Sequence, residues 1–147
     1  GIEGLFASHW LLKNLFLFLR QPSVIRRWAG VAYIDQNAVN EELIAILTLP
    51  AQDEGAARTF YRLFDAVRSP NFAPSAKVVL PRLHIPILLI WGLQDRMVPP
   101  LLAPIFAKLN PLIELVELAG VGHCPQDECP EKFNPILKDW LTRHFSH

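Results

Sequence analysis

The sequence predicts an α/β protein in two parts, a helical half followed by a βαβα unit with parallel strands. Three observations predict it. From Trp10 to Val67, apolar residues recur at helical spacing and nothing reads as a strand. Ile85 to Asp95 (IPILLIWGLQD) is a continuous apolar run without polar alternation, the pattern of a strand buried on both faces in a parallel sheet. A second such run, Leu112 to Gly120 (LIELVELAG), follows after one helical stretch. The change of character falls near residues 70–85 and divides the chain into regions 1–80 and 81–147.

Prolines and small polar residues punctuate the elements. Trp10 to Arg20 makes a first helix, stopped by Gln21 and Pro22, and Ser23 can cap a second, VIRRWAGVAYI. Asn40 caps EELIAILT, which Pro50 ends. Asp53 caps a fourth helix, with Ala56, Phe60, Leu63, Phe64 and Val67 as its apolar stripe and Arg58 and Arg62 outside. Residues 69–74 are a linker, and AKVVLPRL leads into the first strand, Pro86–Trp91. Pro99 and Pro100 suit the start of a helix through LLAPIFAKLN, which Asn110 and Pro111 stop. After the second strand, GVGHCPQDECPEKF forms a loop, and a last helix buries Phe133, Leu137, Trp140 and Leu141. Two starts for it stay open: Pro130 in the first turn, or Asn134 as cap before Pro135. The crossover between the two strands should be right-handed, leaving them parallel and neighbouring.

A chain of 147 residues can hold one ordinary domain. Its 51% hydrophobic content excludes a disordered chain and a disulfide-stapled mini-fold. Fourteen basic and 14 acidic residues cancel, so no nucleic-acid footprint is present. The two cysteines, Cys124 and Cys129, match a reducing compartment such as the cytoplasm. The start lacks the features of a secretory signal. Trp10 to Leu19 (WLLKNLFLFL), interrupted by Lys13 and Asn14, falls short of the roughly 20 residues of a transmembrane helix. With no initiator Met, the chain is expected to be a fragment of a longer protein.

Chemistry concentrates after the two predicted strands, where one loop carries Asp95 and the other His123. Parallel strands deliver both to the same edge of the sheet, where ligands collect in open α/β folds. Paired there, the acid fixes the imidazole tautomer and stabilises the imidazolium that forms when His accepts a proton. Singly, Asp95 is equally well a turn residue and His123 a loop histidine.

PILLIWGLQDRMVP, followed by ELAGVGHCPQDECPEKFNPILKDWL, resembles the C-terminal half of an α/β-hydrolase-fold protein. The resemblance implies that Asp95 is the acid and His123 the base of a Ser–Asp–His triad. It also implies a partial α/β-hydrolase fold, with region 1–80 as a helical cap or lid and region 81–147 as the C-terminal part of the core. GHCPQDECPE is similar to the matching loop of the pheophytinase-like branch of photosynthetic organisms, which cut a phytyl ester from a chlorophyll derivative. For such a source the expected location is plastid or thylakoid-associated. The implied partner is a small hydrophobic substrate, with no metal or other cofactor. The apolar helix WLLKNLFLFL suits a long isoprenoid or acyl chain, and peripheral membrane contact through the cap.

The departure from the family is the nucleophile. Ser8, Ser23, Ser69, Ser75 and Ser146 all lack the glycines of a G-x-S-x-G elbow, and no HGGG-like oxyanion loop is present. A base and its acid without a nucleophile cannot run acyl transfer, so the chain alone is expected to be inactive. Two alternatives stay open: an epoxide hydrolase or haloalkane dehalogenase type with a carboxylate nucleophile, and a non-catalytic binding module from a truncated hydrolase. Cys124 beside His123 invites a Cys–His nucleophile, and His123, Cys124 and Cys129 with His144 or His147 invite zinc; two reduced loop cysteines are the simpler reading of both. Asp127 and Glu128 are expected to complement the dipole at the start of the last helix. Trp91 and Trp140 read as core, Trp10 and Trp28 as core or cap pocket, and Arg26, Arg27, Arg58 and Arg62 as solvated helix faces.

Overall fold

The computed structural model describes residues 2–145, with side chains from Trp10 onward. Ser146 and His147 lie outside the described residues, as does the side chain of Ser8. Two units are present: Gly1–Ala29 with Val39–Ala73, and Gly30–Ala38 with Pro74–His147.

The first unit is helical, with α1 at Ile2–Leu19, most of α2 (Pro22–Ala32), α3 at Glu41–Thr48 and α4 at Ala56–Val67. Asn40 caps α3 as expected, its Oδ1 accepting the Leu43 N–H at 2.9 Å. Two other starts differ from expectation. α2 begins on Pro22, which needs no partner for an N–H it lacks, one residue ahead of Ser23. Gly55, at φ 88°, takes the cap position of α4, while Asp53 closes the preceding 3-10 turn by donating its N–H to Pro50. Phe16 is the centre of this unit, its ring 5.3 Å from Phe60 and 6.4 Å from Tyr61. Arg26 is no free solvated group, since it bonds the Val39 carbonyl and Glu41. Of the two readings of Trp10 and Trp28, core or cap pocket, the core one is corrected: both are more than half exposed. From Trp10 onward α1 covers only one stripe, Leu12, Leu15, Phe16 and Leu19, and leaves Trp10, Leu11, Leu17 and Phe18 exposed.

The second unit carries the sheet. β1 (Ile87–Gly92) and β2 (Ile113–Leu118) pair in parallel, register Ile87 to Ile113 through Gly92 to Leu118, joined through α6 (Leu102–Ala107). AKVVLPRL is not extended; it holds a short helix, α5 (Ala76–Val79), and a 3-10 turn. Asn110 does more than stop a helix. Buried at 3% exposure, it donates to the Leu80 and Leu83 carbonyls and accepts the Leu112 N–H, holding this approach against the start of β2. The loop after β2 contains a one-turn helix, α7 (Pro125–Glu128), and α8 runs Pro130–Phe145, so Pro130 rather than Asn134 begins it. Leu118, Val121 and Cys129 form the core cluster, with Ile90, Val116 and Ile136 packed on it.

Candidate active site

β1 and β2 end side by side, and two glycines let their loops approach closely. A Cβ on Gly92 would lie 2.0 Å from the Gly122 carbonyl oxygen, and one on Gly122 would lie 2.4 Å from the carbonyl of Ala32. The loops are then tied together. Leu93 N–H donates to Leu118, Gln94 N–H donates to Val121, and the Gln94 side-chain oxygen accepts the N–H groups of Gly120 and Val121.

This junction brings the two sequence-predicted site residues together. His123 Nδ1 lies 2.9 Å from Asp95 Oδ2, with the Asp95 side chain only 5% exposed and that of His123 36%. The other oxygen, Oδ1, accepts the N–H groups of Met97 (2.8 Å) and Val98 (2.9 Å). Burial opposes the charge on Asp95, but the Val98 N–H, the His123 ring and the Met97 N–H together outweigh it and hold the carboxyl below its ordinary value. An ionised carboxylate only accepts, so the proton of a neutral His123 sits on Nδ1 and Nε2 keeps its lone pair. That is the tautomer a general base needs. A cavity of about 210 Å³ adjoins the pair, walled by Leu89, Ile90, Trp91, Val98 and Pro125.

The sequence reading missed the residues that hold the histidine loop. Glu128 Oε1 accepts the N–H groups of Ile34 and Asp35, and Oε2 that of Gly122, each at 3.0 Å. Asp127 accepts the hydroxyl proton of Tyr33 at 2.7 Å. These acids therefore bind residues 33–35 and 122 rather than serving the dipole of the last helix. No pattern in the sequence joins positions some 94 apart. Burial, then the bond to Asp127, push the Tyr33 phenol well above its usual value. Burial likewise raises the Cys124 thiol, reinforced by Asp127, Glu128 and Asp95 against a lowering bond from Tyr33, which disfavours the thiolate a Cys nucleophile requires. Among the described residues no group of three or more His, Cys, Asp or Glu side chains is arranged to hold a metal ion, and His147 lies outside them.

With this geometry in hand, comparison with known proteins gives the class. A profile described as "Alpha/beta hydrolase family" matches residues 4–136, and the chain belongs to that family. It is 27% identical over 139 residues to the uncharacterized hydrolase YugF of Bacillus subtilis (strain 168), covering 93% of this chain and 49% of that protein. It is 26% identical over 126 residues to the chloroplastic pheophytinase of Arabidopsis thaliana, covering 84% of this chain and 25% of that protein. The second match agrees with the likeness seen in GHCPQDECPE. Among solved structures, a meta-cleavage product hydrolase from Pseudomonas fluorescens IP01 matches with a TM-score of 0.70 at 20% identity, over 84% of this chain and 46% of that one. A thermophilic esterase from Thermogutta terrifontis matches at 0.68 and 22%, over 92% and 50%. These likenesses show the partial α/β-hydrolase fold. The chain spans about half the length, or less, of the curated relatives it matches.

Proposed function

We propose that this chain is the acid-and-base half, with the cap, of a hydrolase that cleaves an ester with a hydrophobic tail. Asp95 orients His123, whose Nε2 takes the proton of a serine hydroxyl as the serine oxygen bonds to the ester carbonyl carbon; the same proton then passes to the departing alkoxide. No serine of this sequence stands in an elbow motif, so the nucleophile belongs to the remainder of a longer protein. The single observation that carries the reading is the 2.9 Å contact of Asp95 with His123 Nδ1 at the ends of adjacent parallel strands. The apolar tail is supported by the exposed Trp10, Leu11, Leu17 and Phe18 of the helical region, a surface suited to an apolar substrate.

The test compares two proteins on p-nitrophenyl esters of increasing chain length. The 147-residue chain alone should show no turnover above background, and the full product of its gene should hydrolyse the longer esters and lose that activity on His123→Ala. Turnover by the chain alone that disappears when one of its own Ser or Cys residues is replaced would sink the proposal. Covalent labelling of the full product by a fluorophosphonate distinguishes a serine nucleophile from a carboxylate.

A further inference from the structure

We infer that Glu128 is the positioning residue of His123, acting on the main chain around the imidazole and never on the ring itself. The inference rests on the hydrolase reading for its kinetic consequence alone. Glu128 gathers three backbone N–H groups on one carboxylate: Ile34 and Asp35 on Oε1, Gly122 on Oε2. His123 itself donates its N–H to the Ala32 carbonyl at 2.8 Å. A closed ring results, running from Gly122 through His123 to Ala32, along the chain to Ile34, and back through Glu128. The residue before the histidine and the segment that receives the histidine's own N–H are thus held by the same side chain.

Asp95 reaches the imidazole from a separate element, the turn after β1, and is fixed there by Met97 and Val98. A productive pairing of the two needs the imidazole held to within about 0.5 Å of its place. Gln94 ties Gly120 and Val121 on the β2 side of the loop, and Glu128 ties Gly122 on the far side. Charge matters as well as shape. A glutamine at 128 offers one accepting oxygen and one NH2 group, so in either amide orientation at least one of the three N–H groups meets a donor. Gly122 sits in a tight place, since a Cβ there would lie 2.4 Å from the Ala32 carbonyl oxygen and 2.9 Å from the Glu128 carboxylate.

The test uses Glu128→Gln and Glu128→Ala in the full gene product, with two readouts. The first is kinetic: kcat for a p-nitrophenyl ester should fall roughly 10- to 100-fold while KM stays within about twofold, since the misplaced group is a base and not a binding surface. The second is the Nδ1 proton of His123, observed by NMR in 15N-histidine-labelled protein, which should be sharp and far downfield in the wild type and broadened or lost in Glu128→Gln. A variant that melts earlier yet keeps both kcat and that proton signal overturns the inference, because Glu128 would then support folding alone. If Glu128→Ala does not fold, the spectrum of Glu128→Gln decides. If the wild type shows no hydrolysis dependent on His123, the functional reading fails, while the Nδ1 signal still decides what Glu128 does.

Discussion

At the scale of single residues, Asp95 divides its work between two oxygens, and the division makes its replacement informative. Oδ1 is committed to the loop through Met97 and Val98, and Oδ2 faces the imidazole. In Asp95→Asn the amide oxygen can keep the loop bonds while the NH2 group points at Nδ1, which forces the ring proton onto Nε2 and removes the base. The expected loss in the full gene product is on the order of 10⁴ in kcat, with KM little changed. The same carboxylate sets a pH dependence. Its folded value lies below the unfolded one of about 3.9, so it stabilises the fold above that pH, and the stabilisation is lost as pH falls through the folded value. Denaturation between about pH 6 and pH 3 should therefore show wild-type stability dropping in the acid limb below about pH 4, and a shallower drop in Asp95→Asn. An equal slope for both proteins would refute that assignment. Asp95 and His123 are legible in the sequence because each closes an apolar run. Gln94 and Glu128 are not, because what they bind is backbone, and any residue type supplies a backbone N–H.

At the scale of elements, the site depends on how closely two strand ends can meet. β1 finishes on Gly92, packed against the carbonyl groups of Val121 and Gly122. Gly92→Ala would set a methyl 2.0 Å from a main-chain oxygen, and a backbone obstacle cannot rotate away as a side chain can. The ends of β1 and β2 must separate, at a cost of about 3 kcal/mol or more. Hydrogen exchange reads this directly, since the amides of Leu93 and Gln94 donate across the junction and should lose protection before those in the middle of β1. Retained protection at both amides would show that the junction tolerates the methyl. Elements were legible where local chemistry decides them, as with Asn40 before α3 or the two apolar strands. They were misread or left open where chain geometry decides: α4 starts on a left-handed Gly55 rather than on Asp53, and of the two starts open for α8 the structure takes Pro130, with Pro135 inside the helix. The short α5 and α7 carry no periodicity that a sequence can display, being four residues each.

At the scale of the whole molecule, many large apolar side chains stay in solvent, among them Trp10, Leu11, Leu49, Leu63, Ile85 and Leu101, each more than half exposed. The sheet tells the same story. Both strands read from their sequence as buried on two faces, yet every residue of β1 before Gly92 remains partly exposed, and two paired strands are marginal as an independent sheet. A strand pattern written for full burial, in a chain about half as long as a relative such as YugF, is therefore satisfied only in part by the 147 residues themselves. The isolated chain is expected to bind an apolar dye such as ANS and to self-associate, with a sedimentation coefficient that rises with concentration between micromolar and tens of micromolar. Exposed apolar patches and an open strand edge both drive that association. On the proposed function, co-expression with the half that supplies the nucleophile should suppress both signals. A monomer that ignores the dye at every concentration would mean that these apolar surfaces need no partner, and that the sheet is stable with its faces open.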